Sequence, residues 1–325
     1  MQLKKELGLL GVFAIAAGAM ISSGLFILPG LAFAKAGPAM ILAYIIAGIL
    51  VIPAIFSKAE LVTAMPKAGG DYFYITRSMG FTAGTISGLA SWISLSLKTA
   101  FALVGMGIFA LLINPGLSMT EIKIIAIVLC LIFMTINLLG IKGAGTTQIL
   151  LVFFLIALLV LYIMRGFVAI TPERFTPFAP YGLLPVFSTA GFVFISFGGL
   201  TKVASVAEEI KNPKWNVPMG MFLAYAVVLA LYAAVAFITV GVLNYDTLSN
   251  SLTPISDGAK TFWGTPGVVI TAIAAMLAFI STANAGIMSA ARYPLAMSRD
   301  HIMPKFFLKV NNRFRTPHIA ILATT

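Results

Sequence analysis

Lys98 is the residue whose chemistry stands out first. It lies 17 residues after Phe81 and 15 before Ile113, in a run that carries no other charge. A lysine at the centre of a membrane helix costs about 2.5–3.5 kcal/mol on insertion. The ten acidic residues sit at the ends of the apolar runs and between them, so no carboxylate in sequence reach offers it a partner. Three roles are open to it. It could be neutral in one state and protonated in another, carrying a coupling proton. It could pair with a substrate carboxylate or with backbone carbonyls. It could also cap an interrupted neighbouring helix.

Two interruptions are visible in the apolar runs. Gly18-Ala19-Met20-Ile21-Ser22-Ser23-Gly24 places small and polar residues in the middle of the first run, and Ile195-Ser196-Phe197-Gly198-Gly199 places a glycine pair in the middle of the sixth. A glycine inside a helix costs about 1 kcal/mol relative to alanine, and serine offers the backbone a competing partner. At membrane depth, an interrupted helix is tolerated where it faces protein or a water-filled cavity. Matching interruptions in two halves of a chain point to a transporter site. Close helix packing is the other reading, because Gly and Ser favour tight contacts. Freed N–H groups suit an anion and freed carbonyls a cation, so a small zwitterion matches both. Ser281 and Thr282, in the eighth run, add hydroxyls that could join the carbonyls of Gly18 and Ile21 around a sodium ion, since hard cations favour oxygen. Hydroxyls in such helices also bond their own backbone.

Long helices must hold these groups at depth. The chain has 325 residues, 60% hydrophobic and 10% charged, with a mean hydropathy of +1.03. Soluble domains carry about 25% charged residues. That excludes an ordinary soluble enzyme and a disordered chain. It also excludes a soluble nucleic-acid binder despite the net charge of +11. The runs are continuous rather than alternating, which argues against a β-barrel. A bilayer core of roughly 30 Å takes about 20 apolar residues as helix. Eight segments qualify: 8–28, 38–57, 81–113, 122–141, 146–169, 184–207, 217–243 and 265–291. A ninth starts near Pro317, and the sequence ends at Thr325 before it crosses. The first run is too long for a cleavable signal. With a cytoplasmic N-terminus, 14 of the 21 basic residues lie inside, 5 outside, and Lys98 and Lys202 within spans. The positive-inside rule therefore predicts that orientation.

Other residues carry less. Cys130 is the single cysteine, which excludes an intrachain disulfide. His301 and His318 stand 17 apart with no cysteine nearby, so no metal set is expected. Gly84 and Gly88 read as helix packing. Lys202 reads as snorkelling or capping, and Glu208, Glu209 and Lys211 as solvated or loop-pairing. No phosphate loop, nucleophile–histidine arrangement or cofactor motif occurs, so an enzyme has no residues to stand on.

Four stretches carry a resemblance. Gly18 to Phe26 looks like a first-helix glycine/serine signature. Glu60-Leu61 through Pro66, Gly69-Gly70 and Tyr72 looks like a helix 2–3 loop. Phe197-Gly198-Gly199 with Glu208-Glu209-Ile210-Lys211-Asn212-Pro213 looks like helix six and its exit. Ala296-Met297-Ser298-Arg299-Asp300 with Arg315-Thr316-Pro317 looks like the loop after helix eight. In order along the whole chain, they resemble the amino acid–polyamine–organocation transporter superfamily, in its amino acid permease branch.

The resemblance implies an all-α polytopic membrane protein of the leucine-transporter type. It would be an inverted repeat with discontinuous helices 1 and 6, the first repeat in residues 1–169 and the second, incomplete and ending within helix 9, in 184–325. It implies alternating access, with helices one, two, six and seven rocking against three, four and eight in a plasma membrane. By position, Ile21, Ser22, Ser23 and Gly24 would meet the substrate carboxylate. Carbonyls near Ala19, Met20, Ile195 and Phe197 would take the ammonium. Phe197, Gly198 and Gly199 would line the side-chain pocket, with Phe197 or Ile195 as a gate. Many relatives have Gly where Ser22 stands, and several an acid at Thr201; the missing acid favours a neutral amino acid. Some proton-coupled relatives place a lysine in helix five, where Leu155 stands here. Three activities follow as expectations. The first is proton-coupled symport of neutral amino acids. The second is an exchanger or a sodium-coupled symporter. The third is a non-transporting receptor or incomplete fragment. The implied partners are an amino acid, a proton or sodium ion, and the lipid bilayer, with no cofactor and no nucleic acid.

Overall fold

The computed structural model describes residues 3–325; the side chain of Thr201, whose missing acid entered the substrate expectation, lies outside the described residues. The helices run in order: α1 Leu9–Met20, α2 Ser23–Phe26, α3 Leu28–Ala36, α4 Met40–Ala64, α5 Asp71–Met79, α6 Phe81–Ile113, α7 Met119–Leu138, α8 Ile141–Phe167, α9 Leu184–Val193, α10 Lys202–Ser205, α11 Pro213–Val242, α12 Tyr245–Asn250, α13 Pro254–Ala290, α14 Arg292–Arg299 and α15 His318–Thr324. No strand occurs among the described residues. The chain is an all-α polytopic membrane protein: seven helical stretches, from Leu28–Ala64 to Pro254–Arg299, are long and apolar enough to cross a bilayer.

Most expected spans coincide with helices, and the differences have local causes. The span expected at 122–141 begins at Met119, because Ser118 and Glu121 form a reciprocal capping box. The last long helix begins at Pro254 rather than 265 and bends at Gly264, whose φ of 63° interrupts its regular geometry. Pro213 starts α11 directly after Asn212, which sits in the left-handed region at φ 44°. The first expected span is not one long helix. α1 has 12 residues, about 18 Å at 1.5 Å per residue.

Layering explains which helices touch water or lipid. Gly11 through Met20 are all buried, so α1 beyond its first two residues is enclosed on every side, as its uniformly apolar sequence requires. Around it stand α8, α11, α13 and the 194–201 segment. The most extensive pairing is α6 against α13, followed by α8 against α13 and α4 against α11. α7 is the outermost long helix, with Ile124, Ile127, Val128 and Leu131 exposed. Gly84 and Gly88 serve packing: a Cβ at Gly84 would overlap Thr76, and one at Gly88 would lie 2.8 Å from Met297 Sδ and Tyr72.

Candidate functional site

The helical path of the first run stops at Met20. Ile21 is extended (φ −74°, ψ 100°) and Ser22 lies outside any helical region (φ −156°, ψ −129°) before α2 begins. In the sixth run the α-helical ladder stops at Val193, and Phe194–Thr201 winds as a tighter 3₁₀ segment before α10. Such a segment has poorer hydrogen-bond geometry and often marks a hinge.

The two irregular stretches press on each other. A Cβ at Gly199 would overlap the backbone of Ala19 and Met20, and one at Gly24 would overlap the Ser196 side chain. Three aromatic side chains brace the crossing. The Tyr232 hydroxyl donates to Met20 O at 2.8 Å, and the Tyr44 hydroxyl donates to Gly24 O at 2.7 Å. Phe197 packs edge-on against Tyr232, centroids 5.3 Å apart. Neither tyrosine was singled out by sequence analysis. The available signal was a hydroxyl inside an apolar span, which must find an acceptor when buried.

Two cavities meet here. One of about 570 Å³ is lined by Met20, Ser22, Ser23, Gly24, Ile195 and Ser196, and by the α6 residues Ser94, Lys98 and Phe101 among others. A second, of about 340 Å³, lies between α6 and α13 and reaches Phe279 and Thr282. Ser22, Ser23, Lys98 and Phe101 line both. Lys98 borders both cavities, and it makes no ion pair or hydrogen bond among the described residues. Of the other expected substrate residues, Ala19, Ile21, Phe197, Gly198 and Gly199 do not line either cavity. Ala19, Ile21 and Phe197 are fully buried in the crossing beneath it.

Three of the oxygens considered for sodium, those of Gly18, Ser281 and Thr282, already carry hydrogen bonds. Thr282 Oγ1 donates to Gly18 O at 2.9 Å, and Ser281 Oγ accepts from Gln148 Nε2 at 2.8 Å. Gln148 Nε2 also reaches Ala14 O at 3.2 Å, and Asn284 Nδ2 donates to Gln148 Oε1 at 2.9 Å. Lys202 does not snorkel. It is 2% exposed, and its ammonium donates to Thr282 O at 3.2 Å.

A second constellation closes one end of the bundle. Glu209 is fully buried and takes a two-pronged bond from Arg292, at 2.8 and 2.9 Å. Glu208 accepts from both terminal nitrogens of Arg299, at 2.5 and 3.0 Å, and from the N–H groups of Leu3 and Ala68. Burial works against the Glu208 carboxylate, but Arg299 and those N–H groups outweigh it and hold its pKa below the ordinary value. The carbonyl of Glu209 accepts the N–H groups of Glu6 and Leu7, and Lys211 N–H returns to Leu7 O. The expected loop pairing of these acids is thus a strap joining the N-terminal segment, the loop before α5, the exit of α10, and α14. Glu209 is not solvated, and Arg292, the first residue of α14, is 1% exposed. Among the described residues no cluster of three metal-ligating side chains occurs.

This crossing of two irregular segments over paired cavities is accompanied by similarity along the whole chain. A family model described as amino acid permease matches residues 7–325. The chain is 31% identical to a methylthioribose transporter of Bacillus subtilis, over 96% of this chain and 70% of that protein. It is 29% identical to a branched-chain amino acid permease of the same organism, over 98% of this chain and 72% of that protein. It is 30% identical to a vacuolar cationic amino acid transporter of Arabidopsis thaliana, over 99% of this chain and 54% of that protein. Permeases move solutes and make or break no covalent bonds, so the absence of catalytic machinery from the sequence has its explanation. The chain belongs to the amino acid permease family, within the amino acid–polyamine–organocation superfamily.

Proposed function

We propose that this protein carries neutral amino acids across a plasma membrane by alternating access, in symport with a proton held on Lys98. The carrying observation is the position of Lys98: it borders both cavities beside Ser22 and Ser23, and no carboxylate among the described residues pairs with it. A group in that position senses substrate and proton together. Binding a substrate carboxylate favours the protonated amine, and losing the substrate favours release of the proton. The walls beyond the polar break are mainly apolar, with Ile93, Leu97, Phe101 and Ile195. They suit an uncharged side chain.

A proton is favoured over sodium on two grounds. The Thr282 hydroxyl is turned toward Gly18 O, and Lys202 already brings a cationic group to Thr282 O. A sodium ion held by that hydroxyl and Gly18 O would have to break their bond, with the Lys202 ammonium on the same residue. The Glu208 and Glu209 strap stands at the end that the basic residues assign to the cytoplasm. In this reading it closes that side while α1–α4, residues 184–205 and α11 form the moving part against α6, α7 and α13. The division into repeats at 1–169 and 184–325 belongs to the same reading.

The four hydroxyls of Ser22, Ser23, Ser94 and Ser196 around the larger cavity favour one second cargo, a small sugar such as the methylthioribose in one relative's name. The test is uptake by the purified chain in liposomes, with pH and sodium gradients imposed separately. The panel holds labelled neutral amino acids and methylthioribose, and Lys98→Met is measured in parallel. Proton-driven amino acid uptake that disappears in Lys98→Met is the expected result. Uptake that follows sodium, or that survives the substitution with its pH dependence intact, refutes the coupling. Sugar uptake without amino acid uptake replaces the cargo.

A further inference from the structure

A third cavity, of about 310 Å³, opens at the strap end of the bundle. Four segments wall it: the loop before α5 with Lys67, α5 with Phe73 and Arg77, the exit of α10 with Glu208, and α14 with Arg299 followed by Asp300. Three cations and two carboxylates therefore face it. One pair is already made, because Glu208 takes both terminal nitrogens of Arg299. The other three charges are not answered within the protein: Lys67, Arg77 and Asp300 form no ion pair among the described residues. Asp300 accepts only the Tyr72 hydroxyl, at 2.7 Å, on one of its two oxygens. The Arg77 guanidinium lies over the Phe73 ring, 3.4 Å from its centroid, and Nη1 reaches Phe73 O at 3.4 Å. That stacking holds the fork at the cavity wall with donors to spare.

Opposite charges that border one cavity without reaching each other are answered together by a group that carries both signs. Two free cations against one free carboxylate favour a strong anion joined to a single cation. Arginine and lysine suit phosphate oxygens, and a carboxylate suits an ammonium that still has N–H groups to donate. The position of the cavity narrows the source. Arg77 stands four residues before Phe81, where α6 enters the apolar layer with Phe81 63% and Ile86 66% exposed. Basic pockets at such a boundary on the cytoplasmic side take lipid headgroups. We propose that this cavity binds a phospholipid headgroup of the phosphoethanolamine type, with its phosphate on Lys67 and Arg77 and its ammonium on Asp300. The headgroup ties α5 and the loop before it to the end of α14, beside the Glu208–Arg299 pair, and so steadies the strap from the membrane surface. A choline headgroup has no N–H for Asp300 and a glycerol headgroup has no cation, so the site tells the three apart.

The test is native mass spectrometry of the purified chain titrated with phosphatidylethanolamine, phosphatidylcholine and phosphatidylglycerol of identical acyl chains. The variants are Asp300→Asn, which keeps an oxygen for Tyr72, the double change Lys67→Ala with Arg77→Ala, and Lys305→Ala with Lys309→Ala as exposed basic residues outside the cavity. Asp300→Ser serves if Asp300→Asn does not keep a near-parental melting temperature. A charge-assisted hydrogen bond in a half-open site changes affinity by about threefold to tenfold. The parent is expected to favour phosphatidylethanolamine over phosphatidylcholine by that factor. Asp300→Asn should abolish this preference without weakening phosphatidylglycerol, and the Lys67/Arg77 change should weaken all three lipids, whose phosphate is common. The Lys305/Lys309 change should leave the ethanolamine preference as in the parent. No preference in the parent, a preference that survives Asp300→Asn, or its equal loss in the Lys305/Lys309 variant overturns the proposal. A separate arm adds free O-phosphoethanolamine to the chain in phosphatidylcholine nanodiscs. A thermal shift there that Asp300→Asn removes, without any preference among the lipids, assigns the cavity to a soluble ligand and overturns the lipid source.

Discussion

Removing the Glu209 carboxylate should be among the most damaging single changes in the molecule. Glu209 and Arg292 are 0% and 1% exposed and meet through two parallel hydrogen bonds. In Glu209→Gln the guanidinium stays buried, keeps the carbonyl of Met288 at 2.6 Å, and loses its counter-charge. A unit-charge pair about 4 Å apart interacts by roughly 4 kcal/mol at an effective dielectric of 20. Breaking such a buried pair costs about 3–5 kcal/mol, whereas replacing both partners with apolar groups is often near neutral. Glu209→Gln and Arg292→Met should therefore each cost about 3 kcal/mol, and the double variant far less than their sum. The backbone bonds of Glu209 O to Glu6 and Leu7 survive all three changes, so the strap itself remains. The assay is reversible unfolding of the chain in mixed micelles by added SDS, with the coupling taken from the double-mutant cycle. A double variant as damaging as the two singles added together, or singles costing under about 1 kcal/mol, would refute the reasoning.

The neighbouring pair should report on pH. The pKa of Glu208 is held below its ordinary value, so its contribution is present above the unfolded value of about 4.3 and is lost as pH falls through the lower folded value. The melting temperature of the parent should exceed that of Glu208→Gln at pH 6–7, and the gap should close below about pH 4; a gap that widens in acid would contradict the pairing. Two glycines of the sixth run should respond oppositely to a methyl group. Gly199→Ala drives a Cβ into the backbone of Ala19 and should cost about 1–3 kcal/mol. Gly191→Ala meets nothing within 4 Å inside α9 and should leave stability unchanged or raise it by up to about 1 kcal/mol. Melting temperatures of both variants decide this, and equal responses, whether gains or losses, would show that the crossing does not set the difference.

The boundaries of the long helices were largely legible because membrane insertion imposes a local rule. Each span must supply its own apolar length, and α6 runs from Phe81 to Ile113 as the hydropathy alone predicts. Caps were harder, since the Ser118–Glu121 box extends α7 beyond its apolar stretch. The interruption at Ile21–Ser22 was legible from small and polar residues, and Lys98 from its isolation. Ser196 was not, because serines such as Ser96 and Ser205 bond back to their own helices and look the same in sequence.

By itself, then, the sequence determined a helical membrane protein, the location of its two interruptions and the half-buried lysine between them, because apolar length, glycine and charge act over a few residues. The tertiary structure alone decided which groups are satisfied. Lys202 reaches a carbonyl 80 residues away, Arg292 a carboxylate 83 residues away, and Gln148 a serine 133 residues away. No local pattern encodes such pairings, because they depend on which faces of distant helices come into contact.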